Sequence, residues 1–167
     1  VIDSLLRVCK QIEQNLGVFH NRFSSVYNQS KLLILVTGHR RENLGDSFEN
    51  ICKALLELAT KYPELEFVYP VHLNPNVQEV VVRFLSNVSN IHLIDPLPYD
   101  ELVFLMKESL MIITDSGGIQ EEAPTLNKPI LVTRETTERP EGIENGCAVL
   151  VGTNQEDIVH HFVSIYE

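Results

Sequence analysis

Basic residues are scarce in this chain. Lys and Arg number 13 against 23 Asp and Glu, for a formal net charge of −10. That balance argues against a nucleic acid or an anionic membrane surface as partner, since both need a positive field. An anionic ligand would have to be held by a few locally placed donors. Long apolar runs are missing too: none approaches the ~18 residues of a membrane-crossing helix. The opening Val1-Ile2-Asp3-Ser4-Leu5-Leu6-Arg7 lacks the pattern of a signal peptide and starts without Met, so it reads as the interior of a longer protein. Cysteine is sparse. Cys9, Cys52 and Cys147 are far apart and odd in number, which suits neither a disulfide framework nor a metal site. The expectation is buried thiols in a reducing cytoplasm. There is no Walker loop, no Gly-x-Gly-x-x-Gly fingerprint and no serine nucleophile elbow. Kinase, hydride-transfer and serine-hydrolase chemistry are therefore unsupported. Repeats and low-complexity segments are absent as well.

The chain's 167 residues, 44% hydrophobic and 22% charged, suit one domain with its own core. Residues 1–16 have helical spacing, with Ile2, Leu5, Leu6, Cys9 and Ile12 on one face. Residues 17–30 are polar and read as a connection. Apolar strand-like runs follow at 32–36, 66–71, 91–94, 110–114, 130–132 and 148–151. Helical patterns lie between them. One starts at Asp46-Ser47-Phe48-Glu49, resembling a capping box, and ends near Tyr62-Pro63. Others cover 76–85, with Asn74 as N-cap and Pro75 at the first position, then 99–108, then the stretch from Ser116 to about Asn127. A last helix runs from Asn154 to Tyr166, capped by Asn154 or Gln155. Strands alternating with helices indicate βαβ units and an α/β fold on a parallel sheet. Ligands in such folds bind at the carboxyl ends of the strands.

The most informative stretch is Ile112-Ile113-Thr114-Asp115-Ser116-Gly117-Gly118-Ile119-Gln120-Glu121-Glu122. A strand ends in a small polar pair and two glycines, and a helix starts at once. Gly117 and Gly118 allow a ligand close to the backbone. The first-turn N–H groups of the new helix point outward and suit a phosphate or diphosphate. Glu121 and Glu122 follow, and a carboxylate there can accept from two ribose hydroxyls. The plainer alternative is a tight strand–helix turn with acids placed to suit the helix dipole.

Three other strand ends carry polar clusters. The first leads into Thr37-Gly38-His39-Arg40-Arg41-Glu42-Asn43, which should share a rim with Ser116. His39 and the arginines offer donors to a diphosphate, although adjacent Arg40 and Arg41 cannot easily face the same ligand. The second strand leads into Pro70-Val71-His72-Leu73-Asn74-Pro75, where His72 is a ligand contact or a loop histidine before a capped helix. The fifth leads into a long loop containing Thr136-Thr137-Glu138-Arg139-Pro140-Glu141-Gly142. Long ordered loops are often functional, and Arg139 is a second candidate clamp, oriented by Glu138 and Glu141. His160 and His161 read as a surface or packing pair.

These segments resemble the non-hydrolysing UDP-N-acetylglucosamine 2-epimerases of bacteria. Thr37-Gly38-His39-Arg40-Arg41-Glu42-Asn43, Pro70-Val71-His72-Leu73-Asn74-Pro75, Asp115-Ser116-Gly117-Gly118-Ile119-Gln120-Glu121-Glu122 and Thr136-Thr137-Glu138-Arg139-Pro140-Glu141 occur in family order. The resemblance implies a Rossmann-like doubly wound parallel sheet, one half of a GT-B-like two-domain fold. It implies that residues 1–30 are an interdomain helix and connection, and that 31–167 form the C-terminal UDP-binding domain. The implied reaction interconverts UDP-N-acetylglucosamine and UDP-N-acetylmannosamine, by anti elimination of UDP and re-addition. His39, Ser116, Gly117, Gly118 and Arg139 would contact the diphosphate, and Glu122 the ribose hydroxyls, with no cofactor and no metal. His39 would also act in catalysis. Arg40 and His72 resemble residues that in some members contact a second, activating UDP-sugar.

Two departures from the family pattern matter. Its acidic residues at C2 belong to an N-terminal domain absent from this chain, which would be this chain's partner and the place of any homodimer contact. The family often has an aromatic residue beside the uracil where this chain has Leu102, which implies weaker base stacking. The competing readings are a hydrolysing 2-epimerase, the donor domain of a UDP-sugar glycosyltransferase, and a non-catalytic nucleotide-binding module.

Overall fold

Leu32-Leu33-Ile34-Leu35-Val36 has no polar face to offer water, so it is stable only when covered on both sides. The computed structural model describes residues 2–23, 32–38, 46–134 and 148–166, and in it this run is strand β1 (Leu32–Val36), buried from Leu33 onward. Five more strands join it in parallel: β2 (Leu65–Pro70), β3 (Ile91–Ile94), β4 (Ser109–Thr114), β5 (Ile130–Val132) and β6 (Ala148–Leu150). Their order across the sheet is β3-β2-β1-β4-β5-β6.

The helices are α1 (Ile2–Gln14), α2 (Leu16–Arg22), α3 (Asp46–Lys61), α4 (Pro75–Leu85), α5 (Tyr99–Glu108), α6 (Gly117–Glu122) and α7 (Gln155–Tyr166). Alternating strand residues feed two cores, as the two-residue period of a strand requires. Ile34, Val36, Phe67, Tyr69, Met111, Ile113 and Leu131 pack with α3, α4 and α7. Leu33, Leu35, Val68, Ile112, Ile130 and Val132 pack with α1, α5 and α6. The expected Rossmann-like, doubly wound parallel sheet is therefore the fold.

The topology makes the site. From β1 the chain moves outward to β3, then returns to lay β4 along the other side of β1. The segment after β1 feeds α3 on one face, and the turn after β4 feeds α6 on the other. Two adjacent strands thus send their connections to opposite faces, which opens a crevice at their carboxyl ends.

Several helix signals hold. Asn74 Oδ1 accepts the Asn76 N–H at 2.9 Å, with Pro75 at the first position. Asn154 rather than Gln155 caps α7, its Oδ1 accepting from Glu156 N at 2.8 Å and Asp157 N at 3.2 Å. The segment that would cap α3 lies outside the described residues.

Three differences have local causes. Leu6 belongs to the expected apolar face of α1 but is exposed, because Leu5, Cys9 and Ile12 form a narrower stripe one helical step away. Residues 17–22, read as connection, belong to the helix α2. Phe19 and Phe23 sit one turn apart and stack on Phe104, with centroids 5.3 and 5.8 Å away, so tertiary packing overrides a polar sequence containing Gly17. The helix after Ser116 ends at Glu122 instead of near Asn127 and continues as a 3₁₀ turn over Ala123–Leu126. Pro124 has no N–H and its ring crowds the carbonyl four residues back, so an α-helix cannot continue through it. Asn127 closes the turn at φ 57°, a left-handed conformation Asn tolerates.

Candidate functional site

At the crevice, β1 and β4 are tied by their threonines. Thr37 Oγ1 and Thr114 Oγ1 share a hydrogen bond of 2.6 Å, and the Thr37 N–H donates to the Ile113 carbonyl at 2.9 Å. Thr114 Oγ1 also accepts the Ser116 N–H at 2.9 Å. The expected shared rim between the end of β1 and Ser116 is therefore present, held by a short polar chain. Gly38 follows on the rim. Its carbonyl accepts from the Tyr69 hydroxyl at 3.2 Å, which pins the backbone where it leaves β1. Tyr69 is buried, and burial holds its phenol well above its ordinary value, so it stays a donor.

Ser116 caps α6, its Oγ accepting the Ile119 N–H at 3.5 Å. Such a long bond leaves the hydroxyl free to re-aim, and its hydrogen can be given to an anion. Gly117 and Gly118 open the helix. With only six residues in α6, attraction for an anion comes from local first-turn N–H groups rather than from a long macrodipole.

Glu122 ends α6 with 8% of its surface exposed. Its Oε2 accepts the hydroxyl of Tyr99, the first residue of α5, at 2.9 Å. Partial burial and then this bond push the Tyr99 phenol up to about 12. Tyr99 is therefore protonated, and a donor, at neutral pH.

Thr37, Gly38, Ser116 and Glu122 line one cleft of about 290 Å³. Its other walls are Pro70, His72, Pro96, Leu97, Tyr99, Leu102 and Ile119. This volume sits at the small end of ligand sites, typically about 300–1,000 Å³. The polar rim sits against an apolar wall that includes Leu97 and Leu102. Such a wall suits a flat base but offers no aromatic ring at Leu102. His72 is exposed at the cleft, and its Nδ1 accepts the Asn74 N–H at 3.1 Å, so in the neutral ring the proton resides on Nε2.

Of the residues singled out from the sequence, Ser116, Glu122 and His72 come together here, with Gly117 and Gly118 starting the adjoining helix. His39, Arg40 and Arg139 lie outside the described residues. The segments carrying them follow Gly38 and Arg134, and Gly38 is on the cleft. Sequence reasoning missed Tyr99 and the Pro96–Leu97 wall. The carboxyl-end rule applied to β3 would have found both, since the segment after Ile94 leads straight into the cleft. Among the described residues no cluster of three or more His, Cys, Asp or Glu side chains is arranged to hold a metal ion. No helix among them is long and apolar enough to cross a membrane.

The whole chain, residues 1–167, matches the family model described as UDP-N-acetylglucosamine 2-epimerase. It is 52% identical over 164 residues to the UDP-N-acetylglucosamine 2-epimerase of Campylobacter jejuni, covering 95% of this chain and 43% of that protein. It is 51% identical over 162 residues to that of Escherichia coli K12, with the same coverage of each chain. The crystal structure of UDP-GlcNAc 2-epimerase from Neisseria meningitidis bound to UDP-GlcNAc superposes with a TM-score of 0.95 at 44% identity, over 99% of this chain and 45% of that one. The Methanocaldococcus jannaschii enzyme in complex with UDP-GlcNAc and UDP gives 0.85 at 33% identity, over 98% and 45%. The chain thus spans less than half the length of these relatives.

Proposed function

This chain belongs to the UDP-N-acetylglucosamine 2-epimerase family, and we propose that it is the UDP-holding half of an enzyme interconverting UDP-N-acetylglucosamine and UDP-N-acetylmannosamine. The observation that carries the reading is the placement of Ser116, Gly38 and Glu122 on one cleft at the point where strand order reverses. Ser116 and the first turn of α6 take the diphosphate, and Glu122 takes the ribose hydroxyls. The Leu97–Leu102 wall takes the base. His39 and Arg139, on the segments after β1 and β5, complete the diphosphate contacts.

The chemistry follows from what these groups favour. In the elimination the C1–O bond breaks, UDP leaves with the electron pair, and C2 loses its proton, giving 2-acetamidoglucal. Re-addition of UDP to C1 and of a proton to the other face of C2 gives the epimer. Negative charge grows on the departing diphosphate, so donors that tighten as it leaves lower the barrier. A protonated His39 stabilises that charge or hands over a proton. The base acting at C2 comes from an N-terminal half, and a homodimer would form through that half. Arg40 and His72 serve a second, activating UDP-sugar. The buried free thiol of Cys52 suits a cytoplasmic setting.

Joined to its N-terminal half in deuterium oxide, the protein should convert UDP-N-acetylglucosamine to UDP-N-acetylmannosamine carrying deuterium at C2, with EDTA making no difference. Release of free N-acetylmannosamine and UDP instead would establish the hydrolysing reaction. Transfer of the sugar to an acceptor would establish a glycosyltransferase. Within this half, Ser116→Ala should weaken UDP by about 1.5–3 kcal/mol, as for a hydrogen bond to a charged group, and leave uridine nearly unchanged. Equal losses for the two ligands in titration calorimetry would remove Ser116 from the phosphate.

A further inference from the structure

We propose that Tyr99 is a positioning residue for sugar recognition: its hydroxyl fixes the Glu122 carboxylate in the orientation that accepts the ribose 2′- and 3′-hydroxyls. The proposal rests on the reading of Glu122 given above and adds the residue that makes it selective.

Glu122 is the last residue of α6, just before the helix is broken at Pro124. A glutamate has three side-chain torsions, and orienting it for a diol costs rotamer entropy at the moment of binding. Tyr99 removes much of that cost beforehand. It stands on a different element, the first turn of α5, and reaches across to Glu122 Oε2 at 2.9 Å. The α5 end of this bond is itself held: Phe104 is fully buried, and Glu101 pairs with Arg22 at 3.0 Å. The strut is thus anchored before any ligand arrives.

The hydrogen-bond arithmetic fits a shared carboxylate. An ionised carboxylate only accepts, and has about four acceptor sites. One tyrosine donor and the two donors of a ribose cis-diol can share it. A 2′-deoxyribose brings one donor fewer and leaves a buried acceptor less well satisfied. Because both Glu122 and Tyr99 line the cleft, the pair sits where the sugar of a nucleotide anchored at Ser116 would lie.

The test compares UDP with 2′-deoxy-UDP by calorimetry on the chain, its Tyr99→Phe variant and a Glu122→Gln control. Phenylalanine keeps the ring, and the tyrosine is 39% exposed, so the fold should survive, with an unchanged thermal midpoint as the check. The unaltered chain should prefer UDP by about tenfold, the value of one charge-assisted hydrogen bond. Tyr99→Phe should lose most of that preference while binding 2′-deoxy-UDP within about twofold of the original. Adding Glu122→Gln should remove little more. Full preference retained in Tyr99→Phe overturns the proposal, as does an equal loss for both ligands, which marks a merely structural tyrosine. Ser116→Ala separates the two levels. If it weakens both nucleotides while Tyr99→Phe leaves their ratio intact, the diphosphate reading stands and the tyrosine assignment falls. If no nucleotide binds the unaltered chain, both fall.

Discussion

Phe104→Ala should destabilise the chain by about 3–5 kcal/mol, the usual cost of removing a fully buried phenylalanine. Phe104 has no exposed surface and is the hub of an aromatic cluster. Phe19 stacks on it at 5.3 Å, Phe23 at 5.8 Å, and His20 meets it edge-on at 5.2 Å. Without it, α2 loses the ring on which Phe19 and Phe23 stack, while α1 keeps Leu5 and Ile12 in the core beside Val103, Leu105 and Met106, with the solvent-facing pairs Arg22 with Glu101 and Lys107 with Glu13 at 3.7 Å beside them. Exposed pairs of that kind are worth at most ~1 kcal/mol each. Because domains are marginal at about 5–15 kcal/mol, the loss is a large share of the total. The site should suffer as well, since α5 carries Tyr99 and Leu102 into the cleft. Urea unfolding checks the first part, and a midpoint within error of the original would contradict the role given to Phe104.

His39→Ala, in the protein joined to its N-terminal half, should lower kcat by about 10²–10⁴-fold, the usual contribution of a positioned acid–base group. That corresponds to about 3–5 kcal/mol of transition-state stabilisation. Gly38 lines the cleft, and its carbonyl is held by the Tyr69 hydroxyl. His39 follows Gly38 in the sequence, and we propose that it reaches the diphosphate proposed for Ser116. In that proposed role the histidine would meet the leaving group as its charge develops. His39→Asn, which keeps a neutral hydrogen-bond donor, should recover binding of UDP more than kcat. Steady-state kinetics over pH 6–9 decide the matter. An unaltered kcat would make His39 a bystander.

Much of the fold was legible because its strands have no polar face. Ile34, Val68 and Ile113 lie in largely apolar runs that two-sided burial satisfies, and each landed on a strand of the expected parallel sheet. Asn74-Pro75 marked a helix start through chemistry that is local to those residues. What stayed hidden depended on distant partners. The helix at Leu16–Arg22 exists because Phe19 and Phe23 meet Phe104, some eighty residues away, and nothing in a polar stretch with a glycine announces that. The early end of α6 was readable in principle from Pro124, whose effect reaches one turn back.

The candidate site divides in the same way. Ser116 and Glu122 were visible as a strand–glycine–helix motif, and the strand order places them at the reversal point. Tyr99's place on the cleft was readable in principle from the end of β3, but its link to Glu122 was not: that link spans 23 positions and two helices, with no periodic signal. Leu102 was noted as a departure from an aromatic, and it does line the cleft. That wall of the cleft is therefore apolar, with no aromatic ring at that position. The positions of His39, Arg40 and Arg139 lie outside the described residues and rest on the family pattern together with the rim they follow.

The measurement that tests the central claim most directly is a calorimetric titration of this chain with UDP, against uridine and ADP. Selective binding of UDP, with uridine weakened for want of its diphosphate and ADP for want of a fitting base, is the predicted result. Absence of UDP binding, or equal affinity for all three, would contradict the assignment of the Ser116–Glu122 cleft as a UDP site.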